Sequence, residues 1–309
     1  MTLVVGFDPD GHGRAVLHLA AMLARSAGDD LLVCAVIPEP WPPSPARVDA
    51  EYRDYLETVA NEALDHARAR LPADIEASFG VHHARSAPAG LLDVAERTEA
   101  TVIVAGSAVA GGSGHVSLGS TTGRLLHSSP LPVALAPRGF RARADARVTR
   151  VTAAFGGSAE DLVVGAAGVA ARVGASLRIA SFAVRPHAPY TAGVGTEADD
   201  SMVAEWTRDI QAAANRVLDE VADLPEVPRE LDAVFGRGRT WDEALEEVEW
   251  EEGDVLVVGS SSMGPLAQVF LGSRANKIVR HSPVPVVVVP RGVAAELADE
   301  AAHAESGQA

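Results

Sequence analysis

One stretch of this chain occurs twice. Val102-Ile103-Val104-Ala105-Gly106-Ser107, leading through Gly119-Ser120 to Ser129-Pro130-Leu131-Pro132-Val133-Ala134-Leu135-Ala136-Pro137-Arg138-Gly139, recurs as Val255-Leu256-Val257-Val258-Gly259-Ser260, Gly272-Ser273 and Ser282-Pro283-Val284-Pro285-Val286-Val287-Val288-Val289-Pro290-Arg291-Gly292, at a constant offset of 153 residues. Solenoid repeats run at about 20 to 50 residues. A period of this length therefore means two whole domains, and 309 residues is the length of two ordinary ones, each able to bury its own core.

Within each half, short apolar runs alternate with helical patterns. In the first, strands are expected at 3–7, 31–37, 74–81, 101–105 and 133–136, with helices at 14–26, 48–71, 87–99 and 121–127. In the second, strands are expected at 151–155, 176–184, 230–235, 254–258 and 286–289, with helices at 162–172, 203–221 and 240–252. Continuous apolar strands separated by helices mark a parallel sheet covered on both faces. The expected fold is α/β, with two repeated doubly wound domains at 1–140 and 148–292, a linker at 141–147 and a polar, Ala/Glu-rich tail at 293–309 that forms at most a frayed helix. The least regular connections, 38–45 and 185–200, follow the second strand of each half and read as matched surface loops.

Residues are 47% hydrophobic but only 5% aromatic, so the cores must be built from Ala, Val and Leu. Acidic residues outnumber basic ones, 42 to 26, for a net charge of −16. That balance repels a polyphosphate backbone and an anionic membrane alike, which argues against nucleic acid or membrane as partner. Cys34 is the sole cysteine, so an intrachain disulfide or a cysteine-built zinc site is excluded and a reducing compartment suits the chain. The opening Met1-Thr2-Leu3-Val4-Val5-Gly6-Phe7-Asp8 enters a strand directly, and no apolar run approaches the ~20 residues of a membrane helix. The expectation is a soluble, cytoplasmic protein.

Two Gly-anchored loops follow the fourth strands, at the carboxyl edge where open α/β sheets bind ligands. In the first, Gly119-Ser120 opens the helix at 121–127, so backbone N–H groups, hydroxyls and a helix N-terminus converge as they would on an anion. From the loop alone, phosphate binding and a plain helix cap with turn glycines fit equally well. The run Gly114 to Thr121 has the spacing of a phosphate-loop NTPase motif, but Ser120 stands where that motif needs its lysine. His82 and His83 are adjacent and point to opposite faces of a strand, so they do not make a metal pair. Acidic residues from Asp242 to Asp254 and arginines from Arg138 to Arg150 form two charge runs. Solvated surface is the default for both, the alternative being ion pairs across the domain junction.

These loops resemble those of the universal stress protein family, and the whole chain is similar to two copies of its domain in tandem. Nucleotide-binding members show Gly, two residues, Gly, nine residues, Gly and Ser or Thr, a further hydroxyl two positions on, and an Asp after the first strand. In the first half Gly106, Gly119, Ser120 and Thr122 fit this pattern and Asp8 takes the place of the adenosine-contacting Asp, while Val109 replaces the second glycine. In the second half Gly259, Gly272 and Ser273 fit, but Ser262 replaces the glycine, Ala275 the later hydroxyl and Gly156 the Asp. The resemblance implies a five-stranded sheet of order 3-2-1-4-5 in each half, with the strands at 133–136 and 286–289 paired edge to edge.

It also implies the ligand: ATP or another adenine nucleotide, with or without Mg, held better by the first half. The function expected on this basis is a stress regulator that responds to adenine nucleotide without catalysis, working as a homodimer or as an intramolecular pseudo-dimer. A nucleotide-free interaction scaffold is the main alternative, and a slow ATPase is the third reading, since no residue stands out as general base or phosphate clamp.

Overall fold

The computed structural model describes residues 1–8, 13–39, 47–108, 114–184, 196–260 and 271–304, with the backbone alone at 47–50 and 196–204. The first half contains β1 (Thr2–Gly6), α1 (Arg14–Ala27), β2 (Asp30–Pro38), α2 (Arg47–Arg68), β3 (Ala77–Ala84), α3 (Ala87–Arg97), β4 (Val102–Gly106), α4 (Ser120–Ser128) and β5 (Val133–Ala136). The second contains β6 (Arg150–Ala154), α5 (Glu160–Arg172), β7 (Ser176–Val184), α6 (Thr196–Ala222), β8 (Leu231–Gly238), α7 (Trp241–Glu246), β9 (Asp254–Gly259), α8 (Ser273–His281), β10 (Val286–Val289) and α9 (Arg291–His303).

All ten strands join in one sheet of order β3-β2-β1-β4-β5-β10-β9-β6-β7-β8. Numbered within its own half, each set of five runs 3-2-1-4-5. Pairing is parallel inside each half and antiparallel only at β5/β10, where Val133 faces Val288, Ala134 faces Val287 and Leu135 faces Val286. Ala134 and Val287 are equivalent under the 153-residue offset, so the junction has a local twofold between them. Edge-to-edge pairing also disposes of two short, fully apolar edges that would otherwise invite aggregation.

Alternate strand residues feed two cores. Val5, Val33, Val104, Ala153 and Ile179 point to the layer of α1, α2, α5, α6 and α9. Val4, Ile103, Leu135, Leu256 and Val286 point to the layer of α3, α4, α7 and α8. Helices on both faces explain why these strands read as unbroken apolar runs rather than alternating ones. The adjacent histidines separate as their spacing requires: His82 meets Asp93 of α3 at 2.8 Å and His83 meets Glu57 of α2 at 3.1 Å. The edge strand β3 is thereby tied to both helical layers.

Several boundaries differ from the sequence reading for identifiable reasons. Asp74 is held by Arg25 of α1 through bonds of 2.7 and 3.0 Å, so β3 starts later, at Ala77. β8 runs through Gly236 and Gly238, where a Cβ would collide with the backbone of Ala244 in α7; the glycines let a helix lie on the strand rather than ending it. α7 stops at Glu246 instead of continuing to 252. There Val248 turns into the core at 3% exposure, and the Trp250 indole N–H caps the Leu245 carbonyl at 2.7 Å.

The two segments read as linker and tail are both docked. Phe140, Ala142 and Ala146 pack on the first core, Arg25 donates to the Ala146 carbonyl at 3.0 Å, and the Val148 N–H donates to Ser26 Oγ at 2.7 Å. Across the junction the Arg143 backbone N–H, not its guanidinium, reaches Glu252 at 3.1 Å. After β10 the chain forms α9, which lies along α5 and buries Ala294 and Ala301. Contact is at backbone distance, because a Cβ on Gly165 would lie 2.9 Å from Leu297 Cβ and one on Gly168 would lie 2.7 Å from Ala301 Cβ. The Ala/Glu composition suggested a solvated tail, but its alanines at 294 and 301 fit the flat glycine face of α5.

Gly168→Val is therefore expected to lever α9 off α5 and to cost about 1–3 kcal/mol. Urea unfolding checks this, with Gly123→Val, whose added Cβ meets nothing within 4 Å, as the control for helix propensity.

Candidate functional site

In the first half the strand order reverses between β1 and β4, and it is at the carboxyl ends of such a pair that open α/β sheets bind ligands. β1 delivers Phe7, whose N–H continues the ladder to the Cys34 carbonyl at 2.9 Å, and Asp8 follows in an exposed position. β4 delivers Gly106, Ser107 and Ala108. Val109 and the glycines at 111 and 112 lie outside the described residues.

The returning arm of the loop is stitched down independently of that stretch. The Ala108 N–H donates to the Ser117 carbonyl at 2.8 Å. Ser107 Oγ accepts the Ser117 N–H and shares its proton between the His115 and Ser117 carbonyls at 3.3 and 3.4 Å. On the far side the Gly114 N–H reaches the Arg138 carbonyl at 2.9 Å, and the Arg138 N–H returns to the His115 carbonyl at 3.0 Å. His115 Nδ1 is buried without a hydrogen-bond partner among the described residues.

This frame sets the start of α4 beside the end of β4. Gly119 caps the helix without a side-chain bond and fits because a Cβ there would lie 2.9 Å from Ala108 Cβ. The first helical bond is the Gly123 N–H to the Gly119 carbonyl at 2.8 Å, so the N–H groups of Ser120 and Thr121 precede the ladder and face out of the helix end. Ser120 is exposed. Thr122 is 4% exposed and gives its hydroxyl to the Gly106 carbonyl at 3.1 Å, which ties the first turn of α4 to the end of β4. Exposed N–H groups, the positive helix end and a serine hydroxyl can receive an anionic group, and Asp8 can accept hydrogen bonds from a polar ligand.

In the second half the equivalent groups are used differently. Gly156 follows β6 with no side chain, and α5 begins after Ala159, a non-glycine residue at φ 82°. Gly259 ends β9, Gly272 caps α8 and Ser273 is exposed, in the same arrangement as Gly106, Gly119 and Ser120. Ser262 lies outside the described residues. Ser260, the counterpart of Ser107, accepts the Arg291 N–H at 3.0 Å and so caps α9, while its own N–H donates to the Val289 carbonyl at 2.9 Å. The serine that fastens the loop in one half fastens the C-terminal helix in the other. Sequence reasoning grouped Ser107 and Ser260 as repeat positions without seeing either role, because a hydroxyl's partner depends on what the fold brings to it.

With this geometry in view the comparisons with known proteins are direct. The model of the universal stress protein family matches residues 1–137 and again 149–290. A universal stress protein of Mycobacterium tuberculosis (strain H37Rv) is 40% identical over 297 residues, covering 94% of this chain and all of the relative, as is one from Mycobacterium bovis. The chain belongs to the universal stress protein family, as a tandem of two domains. Among solved structures, a universal stress protein from Archaeoglobus fulgidus has a TM-score of 0.59 at 20% identity, covering 94% of this chain and 98% of its own. A second, from Pseudomonas aeruginosa, has a TM-score of 0.54 at 14% identity and covers 97% of each chain. These two show the shared fold. No described helix is long and apolar enough to cross a membrane, and the described residues contain no group of three metal-ligating side chains.

The Thr122 tie has a measurable consequence. Thr122→Val keeps the shape but leaves the Gly106 carbonyl short of a donor, so it is expected to lower stability by about 1–3 kcal/mol. Ser120→Ala, at an exposed position, is expected to change it by less than about 0.5 kcal/mol, as read by chemical denaturation of the two variants.

Proposed function

We propose that the chain is a non-catalytic regulator that binds an adenine nucleotide, ATP or a relative, in its first half and uses its second half chiefly as a structural partner. The observation that carries this reading is the different use of one serine. Ser107 bonds the backbone of His115 and Ser117 on the returning arm of the first loop, whereas Ser260 accepts the Arg291 N–H at the start of α9. Asp8 has Gly156 as its counterpart, which offers a ligand no side-chain acceptor. The phosphates would lie at the Ser120 and Thr121 N–H groups and the sugar hydroxyls at Asp8; Thr122 holds the helix in place rather than meeting the ligand. Mg, where present, would come with the nucleotide, since among the described residues the site supplies hydroxyl and amide groups with the carboxylate of Asp8.

In this reading the β5/β10 junction makes the chain its own pseudo-dimer, and ligand in the first half biases how the halves sit about it. A chain with one cysteine suits the reducing, cytoplasmic setting of this reading; Cys34 is buried, with its pKa pushed up to about 11, and serves as a small core residue.

Calorimetric titration with ATP tests the asymmetry. Asp8→Ala is expected to weaken binding by about 1.5–3 kcal/mol, the value of hydrogen bonds to a charged acceptor, and Ser273→Ala to leave it nearly unchanged. Equal losses at both positions, or no binding by wild type, would reject the proposal.

Val109 gives a second test. A β-branched residue takes φ > 0 with difficulty and stands where the family pattern has glycine, so Val109→Gly is expected to tighten ATP binding in the same titration. A wild type that already binds tightly, with a glycine variant no better, would assign the phosphate contacts to the Gly111–Gly114 run instead.

A further inference from the structure

One backbone N–H does the same task in both halves. Arg138 and Arg291 are equivalent under the 153-residue offset, and each stands just past the last strand of its half. The Arg138 N–H donates to the His115 carbonyl at 3.0 Å, and the Arg291 N–H donates to Ser260 Oγ at 3.0 Å. Both acceptors lie in the connection that follows the fourth strand of the half. Each such loop is thereby fastened to the segment by which the chain leaves the sheet.

Those segments lead to different places. From Arg291 the chain enters α9, which lies on α5 of the same half. From Arg138 it enters the linker, which is seated first on α1 and then on the second half. His18 of α1 hydrogen-bonds the backbone of Ala142, Arg25 donates to the Ala146 carbonyl at 3.0 Å, and Ser26 Oγ accepts the Val148 N–H at 2.7 Å. Between these seats the Arg143 N–H reaches the Glu252 carboxylate at 3.1 Å. The Thr149 N–H then donates to the Gly253 carbonyl at 3.0 Å, and the Thr149 carbonyl accepts the Ser176 N–H at 2.9 Å. Contact here is at backbone distance, because a Cβ on Gly253 would lie 2.7 Å from the Arg147 carbonyl oxygen. At the other end of the path, the Gly114 N–H to Arg138 carbonyl bond, 2.9 Å, doubles the tie between loop and linker. The linker therefore spans from the returning arm of the first loop to the starts of β7 and β9.

We propose that the linker couples the first-half loop to the second half, so that a nucleotide on the Ser120 and Thr121 N–H groups tightens the linker's seat and a loosened linker weakens the nucleotide. The inference rests on the nucleotide reading above. Two states suffice, one with arm and linker docked on each other and one with both frayed. The arm at 114–117 runs directly into Gly119 and Ser120, so a ligand there binds the docked state better and shifts the population toward it. Linkage makes the effect reciprocal: whatever frays the linker lowers affinity by the same factor. The second loop lacks this route, since the Arg291 N–H leads into α9 on its own half. One site is thus connected to the opposite half and the other is not.

Amide hydrogen exchange of the full chain, resolved to single residues, tests this with the Ala294 N–H of α9 as internal reference. Glu252→Ala is an exposed change in the second half that removes the acceptor of the Arg143 N–H. It is expected to speed exchange at the Gly114 and Arg138 N–H groups about threefold, one exposed hydrogen bond's worth, and to weaken ATP binding by the same factor. Ser107→Ala, made at the loop, is expected to speed exchange at Arg143, Val148 and Thr149, and saturating ATP to slow the same three amides in wild type. Glu252→Ala carries the test if Ser107→Ala does not fold. Unchanged exchange at the loop in Glu252→Ala overturns the proposal. So does a Ser107→Ala effect that stops at Arg138, and so does bound ATP that leaves the three linker amides as they were. If wild type binds no ATP, the nucleotide reading fails by itself, and exchange in the two variants still decides whether loop and linker move together.

Discussion

The antiparallel pairing of β5 with β10 is the constraint from which the rest of the architecture follows. Each half ends its sheet in four apolar residues, Val133–Ala136 and Val286–Val289, and one such edge left open would expose unpaired N–H and C=O groups beside hydrocarbon. Because both edges belong to one chain, each is satisfied by the other at an effective concentration no separate subunit could match. The register places equivalent residues Ala134 and Val287 opposite each other, so two similar halves become a symmetric frame.

Symmetry of frame does not carry through to the surfaces. After β5 the chain must travel to β6, and it does so as an extended segment fastened to α1 by Arg25 and Ser26. After β10 it has no such journey, and it coils into α9 on the glycine face of α5. Those two exits also decide what happens at the loops. The first exit gives the backbone of Arg138 to Gly114 and His115, which closes the candidate nucleotide loop; the second gives the Arg291 N–H to Ser260. The two loops are therefore fastened differently because the backbone leaving β5 and the backbone leaving β10 take different paths.

Divergence has gone furthest at the opposite end of the second half's strands. Where the first half pairs Val4 with Leu32, the second pairs Thr152 with Arg178, which puts a desolvated cation next to the hydrogen-bonded Arg150–Asp254 pair, an arrangement that contributes little to stability unless its donors are met. The second half carries this substitution while its core, built from Leu177, Ile179 and Leu256, remains apolar.

Much of this was legible in the residues themselves. The 153-residue offset fixed the number of domains, the unbroken apolar strands fixed a sheet covered on both faces, and the Gly-Ser pairs at 119 and 272 marked the starts of α4 and α8. Ser120 was identifiable as a site candidate from the Gly-Ser pair that opens a helix, and Asp8 from the family resemblance. Local pattern failed where partners come from far along the chain. Asp74 left β3 for Arg25, Trp250 turned back to cap α7, and a tail of alanine and glutamate became a packed helix because Gly165 and Gly168, far earlier in the chain, left it room. The same holds for the loop serines and for Arg178. A hydroxyl or a guanidinium has no fixed meaning in a sequence, since its role is set by which acceptor or donor the tertiary structure brings within about 3 Å; only the folded chain decides that Ser107 bonds the returning arm of its loop, that Ser260 meets the start of a helix and that Arg178 reaches the Glu249 carbonyl.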